Sequence, residues 1–189
     1  MQVKEEIIEI LRATNREGIE DVIKYLEETD FFVAPASTRF HGNYDGGLAE
    51  HSLNVYKLLQ AKNKQFDLGL GEDTIAITAL LHDVCKINLY SKAVKNRKNP
   101  KTLKWESYQG YGYEDDFPIG HGEKSIIKLM QFIKLKKQEI IMIRWHMGGY
   151  EDKSQQNNLS AAWNMCPAGT ALHTADLESS YILEEHKEY

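Results

Sequence analysis

The sequence has little cysteine, no long apolar run and no excess of positive charge, and each shortage excludes a class of protein. Its 189 residues include two cysteines, Cys85 and Cys166, and neither lies in a CxxC motif, so a disulfide framework or thiolate zinc site is not expected. No apolar stretch approaches the roughly 20 residues that cross a bilayer, which argues against a membrane protein. The net charge of −5 does not favour nonspecific nucleic-acid binding, although it leaves room for a local basic patch.

Length and the N-terminal segment set the expected organisation. A chain of 189 residues can bury a full core, and the sequence has no internal repeat or linker, so we expect a single domain over 1–189. The first six residues, MQVKEE, lack signal-peptide character. With so little cysteine, this indicates a cytoplasmic protein.

Hydrophobic spacing predicts an all-α, compact bundle of about seven helices, with N-terminal helices within 1–28. The predicted helices cover about 2–14, 19–28, 48–65, 72–88, 120–134, 136–147 and 159–185. Alternation within 103–113 predicts a small β-hairpin insert around 92–114. The glycine-containing segment 29–47 is expected to form a long loop.

A His-Asp pair, His82 and Asp83, closes the most apolar predicted helix. Two adjacent polar side chains at the end of a buried segment cost free energy unless a partner such as a metal satisfies them. Four further candidates lie in or beside predicted helices: His51, His121, His146 and Asp176. Imidazoles and carboxylates together suit iron, manganese, zinc or cobalt. The pattern therefore predicts a metal-dependent enzyme with one or two divalent transition-metal ions.

This constellation resembles the HD-domain superfamily of metal-dependent phosphohydrolases, whose pattern is a His, a His-Asp pair and a distant Asp. The matching residues are His51, His82, Asp83 and Asp176, within a metal-binding core at about 40–182. Di-metal members add two histidines, matched by His121 and His146. The resemblance implies an HD helical bundle with two ions that share Asp83. The implied ligands are His51, His82, Asp83 and Asp176 for the first ion, and Asp83, His121 and His146 for the second.

The implied reaction is hydrolysis of a phosphoester in a nucleotide-like substrate by a metal-activated hydroxide, with Asp83 at the catalytic centre. Lys86 lies three residues after Asp83, on the same helical face, so it is expected to contact phosphate or to pair with Asp83. Lys124 and Arg144 are further candidates for substrate binding. Cys85 should point away from this face as a small core residue.

The predicted insert is basic and aromatic. Six Lys or Arg side chains lie within 92–104 and could attract an anionic substrate, while Trp105 and neighbouring tyrosines could stack on a base. A solvated hairpin without a binding role is the alternative. Outside the insert, His41 could line the site or bond within its loop, and His173 could support Asp176 or pack in the core.

Two other functions stay open at the level of sequence. Some HD-fold proteins use the same six ligands as di-iron oxygenases, here on a small anionic substrate. A binding module without turnover is less favoured, because no ligand position is lost. The expected partner is a small phosphorylated substrate, with no membrane; nucleic acid is not favoured, and a homodimer is neither predicted nor excluded.

Overall fold

The computed structural model describes residues 2–99 and 101–185, and more than half of these lie in helices. The α-helices are α1 (Gln2–Ala13), α2 (Ile19–Glu28), α3 (Gly47–Phe66), α4 (Glu72–Leu81), α5 (His121–Leu129), α6 (Lys137–Arg144), α7 (Gln156–Met165) and α8 (Ala168–Glu178). Two strands, β1 (Tyr90–Lys98) and β2 (Trp105–Tyr113), form an antiparallel hairpin. The α-rich fold with one small hairpin is thus confirmed. Residue 100 of the predicted insert lies outside the described residues.

Helix α4 lies between two apolar cores. Its residues are buried from Thr74 to Leu81, as expected for a helix that is apolar on every side. Ile77 packs into a core with α1 and α2, whereas Ile75 packs into a second core with α8. Because α4 runs through the interior, the residues directly after its last turn are also buried.

The α-helical part of α4 is shorter than the sequence predicts. A continuous helix is expected over about 72–88, but the α-helix ends at Leu81 and a 3₁₀ turn follows at Val84–Lys86. Asp83, between the two, has φ −106° and ψ 17°, outside the helical region. Side-chain directions deduced from an uninterrupted helix therefore do not apply throughout residues 83–86.

The single helix predicted over about 159–185 is wrong. The chain forms α7 and α8, separated at Cys166 and Pro167, and a π-helical turn follows at Ser179–Leu183. Proline disfavours the helical conformation in the residue before it, and Cys166 has φ −137° and ψ 80°. The described residues accordingly contain eight α-helices rather than about seven.

The hairpin projects from the helical body. Tyr90 pairs with Tyr113 at its base, and Lys98 pairs with Trp105 at its far end, where the Trp105 side chain is 74% exposed. Within the described ranges, none of the helices has the length and apolar character needed to cross a membrane.

Candidate metal centre

Six side chains predicted from the sequence meet at one place in the interior, although they come from five segments of the chain. They are His51 of α3, His82 and Asp83 after α4, His121 of α5, His146 after α6 and Asp176 of α8. The structure thus brings the whole predicted set together. Asp83 lies at its centre, and its two carboxylate oxygens face different neighbours.

One group, which we call the His51 cluster, consists of His51, His82 and Asp176. His51 Nε2 lies 3.3 Å from His82 Nε2 and 3.3 Å from Asp176 Oδ1. Asp83 Oδ2 lies 3.7 Å from His51 Nε2 and 3.5 Å from His82 Nε2. Both imidazoles are fully buried, whereas the Asp176 side chain is 18% exposed and lines a cavity.

The second group, which we call the His121 cluster, consists of His121 and His146. Asp83 Oδ1 lies 2.6 Å from His121 Nε2 and 3.5 Å from His146 Nε2. One oxygen of Asp83 therefore faces each cluster, as a bridging carboxylate requires.

Backbone carbonyls fix the orientation of two of these imidazoles. His82 Nδ1–H donates to Ala79 O at 2.8 Å, and His146 Nδ1–H donates to Ile143 O at 2.7 Å. Donation from Nδ1 leaves the Nε2 lone pair directed into the centre, the arrangement found in metal-binding histidines. The Nε2 atom of His146 is buried and has no hydrogen-bond partner, which a metal ion would correct. The donor set fits a transition metal.

Glu184 is a component of the centre that the sequence did not indicate. Its Oε1 lies 2.9 Å from His51 Nδ1, and Ser179 Oγ donates to the same oxygen. A carboxylate on the second nitrogen of a metal-binding histidine orients the ring and raises its basicity. Glu184 lies in a charged segment where no local spacing distinguishes it from Glu185, so only the tertiary structure identifies it.

Two histidines of uncertain role in the sequence also border the centre. The His41 ring lies 5.1 Å from that of His51, and its buried Nε2 has no hydrogen-bond partner. His173 Nδ1–H donates to the backbone carbonyl of His146 at 2.7 Å. His173 therefore supports the segment that carries His146, whereas the sequence left support of Asp176 and core packing open.

Burial and neighbouring charges shift the pKa values of the histidines in the centre in different directions. Burial lowers the pKa of His51, but its hydrogen bonds to Asp176 and Glu184 outweigh this and raise it to about 10. Burial lowers the pKa of His82 to about 4. The metal-free His51 cluster thus pairs a protonated imidazole with a neutral one. Burial also lowers the pKa of His121, but Cys85 and Asp83 raise it, to about 10 on balance.

Lys86 forms an ion pair with Asp83. Its Nζ lies 2.7 Å from Asp83 Oδ2, and both residues are buried. Burial lowers the pKa of Lys86, but Asp83 outweighs this effect and leaves the pKa above its usual value. In turn, burial raises the pKa of Asp83, but Lys86 and the histidines hold it well below its usual range. Lys86 is therefore a buried cation beside the shared carboxylate.

The other two basic candidates form ion pairs with carboxylates. Lys124 is buried and pairs with Asp115. Arg144 pairs with Glu123 at 2.6 Å and with Glu151 at 2.7 Å. These contacts pair both cations with carboxylates, as Asp83 pairs Lys86, and Lys124 also lines a cavity beside His121.

The prediction that Cys85 points away from the centre is wrong. Its Sγ lies 3.3 Å from His121 Nε2 and 4.0 Å from Asp83 Oδ1. The cause is the 3₁₀ turn at Val84–Lys86, which redirects side chains that an α-helix would separate by about 100° per residue.

Two glycines allow the segments that carry the clusters to approach closely. A Cβ on Gly47, at the start of α3, would lie 2.0 Å from the carbonyl oxygen of Gly42. A Cβ on Gly122, the residue after His121, would lie 2.5 Å from the carbonyl oxygen of Arg144, two residues before His146. Backbone cannot move away as a flexible side chain can, so Gly122 is needed to bring α5 against the end of α6.

Two cavities reach the centre. A cavity of about 350 Å³ is lined by Asp83, Lys86 and His121 together with exposed aromatic rings. A second, of about 300 Å³, is lined by Cys85, His121 and Lys124 together with the base of the hairpin. Asp176 of the His51 cluster also lines the larger cavity, so both clusters border it.

Comparison with known proteins supports a hydrolytic enzyme. The chain is 32% identical over 91 residues to the dihydroneopterin 2',3'-cyclic phosphate phosphodiesterase of Methanocaldococcus jannaschii. The match covers 45% of this chain and 34% of the relative, so the chain spans about a third of that protein's length. No family model and no solved structure matches the chain. The similarity is compatible with a phosphohydrolase; membership of the HD-domain superfamily stays a prediction.

Proposed function

We propose that this protein is a metal-dependent phosphohydrolase that cleaves a phosphoester of a small, nucleotide-like molecule. The observation that carries the proposal is the convergence of four imidazole Nε2 atoms and the Asp176 carboxylate around Asp83, beside a cavity that Lys86 also lines. Similarity to a phosphodiesterase of a phosphorylated heterocycle supports the same reaction class.

The ligand assignment follows the two oxygens of Asp83. His51, His82, Asp83 and Asp176 would hold one ion; Asp83, His121 and His146 would hold another. A divalent ion lowers the pKa of a coordinated water toward ~7 and offsets negative charge on phosphoryl oxygens. Asp83 keeps the two sets of donors in register, and its depressed pKa ensures that it is ionised at neutral pH.

Lys86 is the cation that we assign to the substrate. It lines the larger cavity and lies beside Asp83, so its ammonium can contact an anionic group that enters there. As a point charge it suits a phosphate oxygen. Lys124, which lines the smaller cavity, stays a further candidate for substrate binding in this proposal, whereas Arg144 lines neither cavity.

The nucleotide-like part of the substrate fits the outer wall of the same cavity. Phe40, Tyr150 and Tyr181 line it, and Tyr150 Oη lies 3.2 Å from Tyr181 Oη. The Phe40 side chain is 68% exposed and that of Tyr181 is 74% exposed, so both offer a ring face to a planar heterocycle. Trp105 lies at the far end of the hairpin instead.

Chelation and reconstitution test the reaction class. The purified protein, stripped with a chelator, should hydrolyse 2',3'-cyclic nucleotides or bis-(p-nitrophenyl) phosphate only after manganese, iron, cobalt or zinc is restored. His82→Gln should lose this activity, because His82 is buried among the proposed ligands. Because the variant is purified in the same way as the wild type, its loss of activity would also exclude a contaminating phosphatase.

Two outcomes would contradict this function. Hydrolysis that survives in stripped protein would remove the metal from the proposal. Substrate-dependent oxygen uptake by the iron-loaded protein, without phosphate release, would replace hydrolysis by oxygenation.

The aromatic side chains on the outer wall of the larger cavity lead to a separate prediction about substrate preference. Tyr181→Ala should raise KM for a cyclic nucleotide about tenfold, since stacking contributes roughly 1–3 kcal/mol per base, while hydrolysis of glycerol phosphate stays unchanged. Trp105→Ala is the matched control and should leave both substrates unaffected. Equal KM values for the Tyr181 variant and the wild type would show that this wall does not bind the ring.

A further inference from the structure

A sulfur atom lies beside the His121 cluster, where neither the sequence pattern nor the proposed ligand set uses it. Cys85 Sγ is 3.3 Å from His121 Nε2 and 4.0 Å from Asp83 Oδ1. The residue is 3% exposed, and its distance from these two donors is short enough for one ion to contact all three. The position of Cys85 is therefore that of an additional ligand.

The local fold holds this sulfur in place. The backbone N–H of Cys85 donates to Ser125 Oγ at 3.1 Å, which ties the 3₁₀ turn to α5, the helix that begins with His121. The turn and the imidazole consequently form one unit.

The spacing of the donors agrees with coordination. Zinc binds nitrogen at about 2.0 Å and sulfur at about 2.3 Å, so two ligands of one tetrahedral ion lie roughly 3.3–3.6 Å apart. The separation of Cys85 Sγ and His121 Nε2 is 3.3 Å, and that of His146 Nε2 and Asp83 Oδ1 is 3.5 Å. His146 adds an independent indication, because its buried Nε2 lacks any hydrogen-bond partner.

We propose that Cys85 is a thiolate ligand of the metal ion in the His121 cluster, together with Asp83, His121 and His146. The proposal rests on the proposed function in one respect, namely that this cluster binds a metal. On binding, the thiol proton leaves to solvent and the sulfur bonds to the ion. A thiolate favours zinc or cobalt over manganese, so the His121 cluster should prefer softer ions than the His51 cluster, whose donors are nitrogen and oxygen.

Cobalt substitution tests the proposal by spectroscopy. Cobalt(II) added to stripped protein should give a near-ultraviolet sulfur-to-cobalt charge-transfer band along with its visible ligand-field bands. Cys166→Ser is the matched control, because Cys166 is the other buried cysteine and packs in the core with α8. The band should persist in this variant, where Cys85 is the remaining cysteine, and should disappear in Cys85→Ser.

A second measurement separates coordination from packing. Cys85→Ala should weaken zinc binding by at least about tenfold and leave manganese binding nearly unchanged, since loss of a soft ligand affects the softer ion most. Ligand-field bands without a sulfur band in Cys166→Ser protein would overturn the proposal even if the Cys85 variants fail to fold. Absence of all cobalt binding in the wild type would contradict the metal centre itself, whereas bound cobalt without sulfur contradicts the role of Cys85 alone.

Discussion

The His51 and His121 clusters share Asp83 but are assembled by different means. In the His51 cluster the imidazoles are fully buried, and Glu184 reaches back from the end of the described chain to hold His51. In the His121 cluster the His121 side chain is 30% exposed and borders both cavities. The His51 cluster depends on a long-range hydrogen bond, and the His121 cluster depends on close backbone packing at Gly122.

This difference implies a division of roles. The His51 cluster borders the larger cavity only through Asp176 and the shared Asp83, whereas His121 borders both cavities, and a more open set of donors accepts a substrate oxygen more readily. We therefore expect the ion of the His121 cluster to exchange faster and to lie closer to the substrate. Substitutions that affect the clusters separately or together test this expectation.

The largest effect should come from the residue that both clusters share. Asp83→Asn removes charge from both, and the loss of several kcal/mol of transition-state stabilisation corresponds to a fall in kcat/KM of about 1000-fold or more. In stripped protein, Lys86 loses its buried counter-charge, which should cost about 3 kcal/mol of unfolding free energy. Kinetics and urea unfolding measure the two effects.

Asp21→Asn serves as the control for Asp83→Asn, because Asp21 is exposed on α2. An Asp83 variant that still binds two ions with wild-type affinity would refute the bridging role.

A change confined to the packing of α5 should affect the His121 cluster alone. In Gly122→Ala the new Cβ meets backbone oxygen at 2.5 Å, so α5 must move away from the end of α6. Since a displacement of about 1 Å can cost 100-fold in rate, we expect a loss of that order, although alanine is the better helix former. Activity and two-step calorimetric titration of zinc provide the measurement.

Gly149→Ala controls for the substitution at Gly122, because a Cβ at Gly149 meets nothing within 4 Å. If both variants retain full activity, close packing at Gly122 is not what assembles the cluster.

A change confined to the long-range carboxylate should affect the His51 cluster alone. Glu184→Gln removes the carboxylate charge that orients His51 and that raises the pKa of His51. Affinity for the ion of the His51 cluster should therefore fall about 10–100-fold. The neighbouring Glu185, whose side chain is exposed, offers Glu185→Gln as a matched control. Equal losses at both ions, or none at either, would deny the separate assembly of the clusters.

The smallest effect is a pH dependence common to both clusters. His51 and His121, each with a pKa of about 10, hold protons at neutral pH that must leave before an ion binds, whereas His82, at about 4, is already neutral. A raised histidine pKa stabilises the metal-free fold below about pH 6.5, and this contribution fades as the pH rises toward 10. Affinity should thus increase about tenfold per pH unit near neutrality at the His51 cluster, and up to about 100-fold at the His121 cluster, where the Cys85 thiol proton also leaves.

Competition titrations against a fluorescent chelator, corrected for the chelator's own protonation, measure this dependence. Affinity that stays constant between about pH 6 and pH 8 would mean that the metal-free imidazoles are neutral.

Local pattern was sufficient for most of the helices and for the hairpin. The apolar run that ends at Leu81 indicates a buried helix, and alternation within 103–113 indicates a strand. The six candidate ligands were found because a motif resemblance ranked them, and the structure brings them together. Their role as ligands stays a prediction.

Local pattern failed where the chain departs from regular geometry. Pro167 ends one helix within an apolar stretch that looks continuous, and the 3₁₀ turn after Asp83 reverses the expected direction of Cys85. The ion pairs of Lys124 with Asp115 and of Arg144 with Glu151 were not predicted, because each carboxylate lies outside the helix that carries the cation.

By itself, the sequence determined the α-rich fold class and the hairpin, since these follow from the spacing of apolar residues, and residue chemistry together with the motif resemblance indicated the candidate donors. Only the tertiary structure decided that the two oxygens of Asp83 face different clusters, that Glu184 holds His51, and that Cys85 lies beside His121. The physical reason is that hydrophobic periodicity fixes which way side chains point within one helix or strand. These contacts instead join different segments, and tertiary packing sets the distance between them.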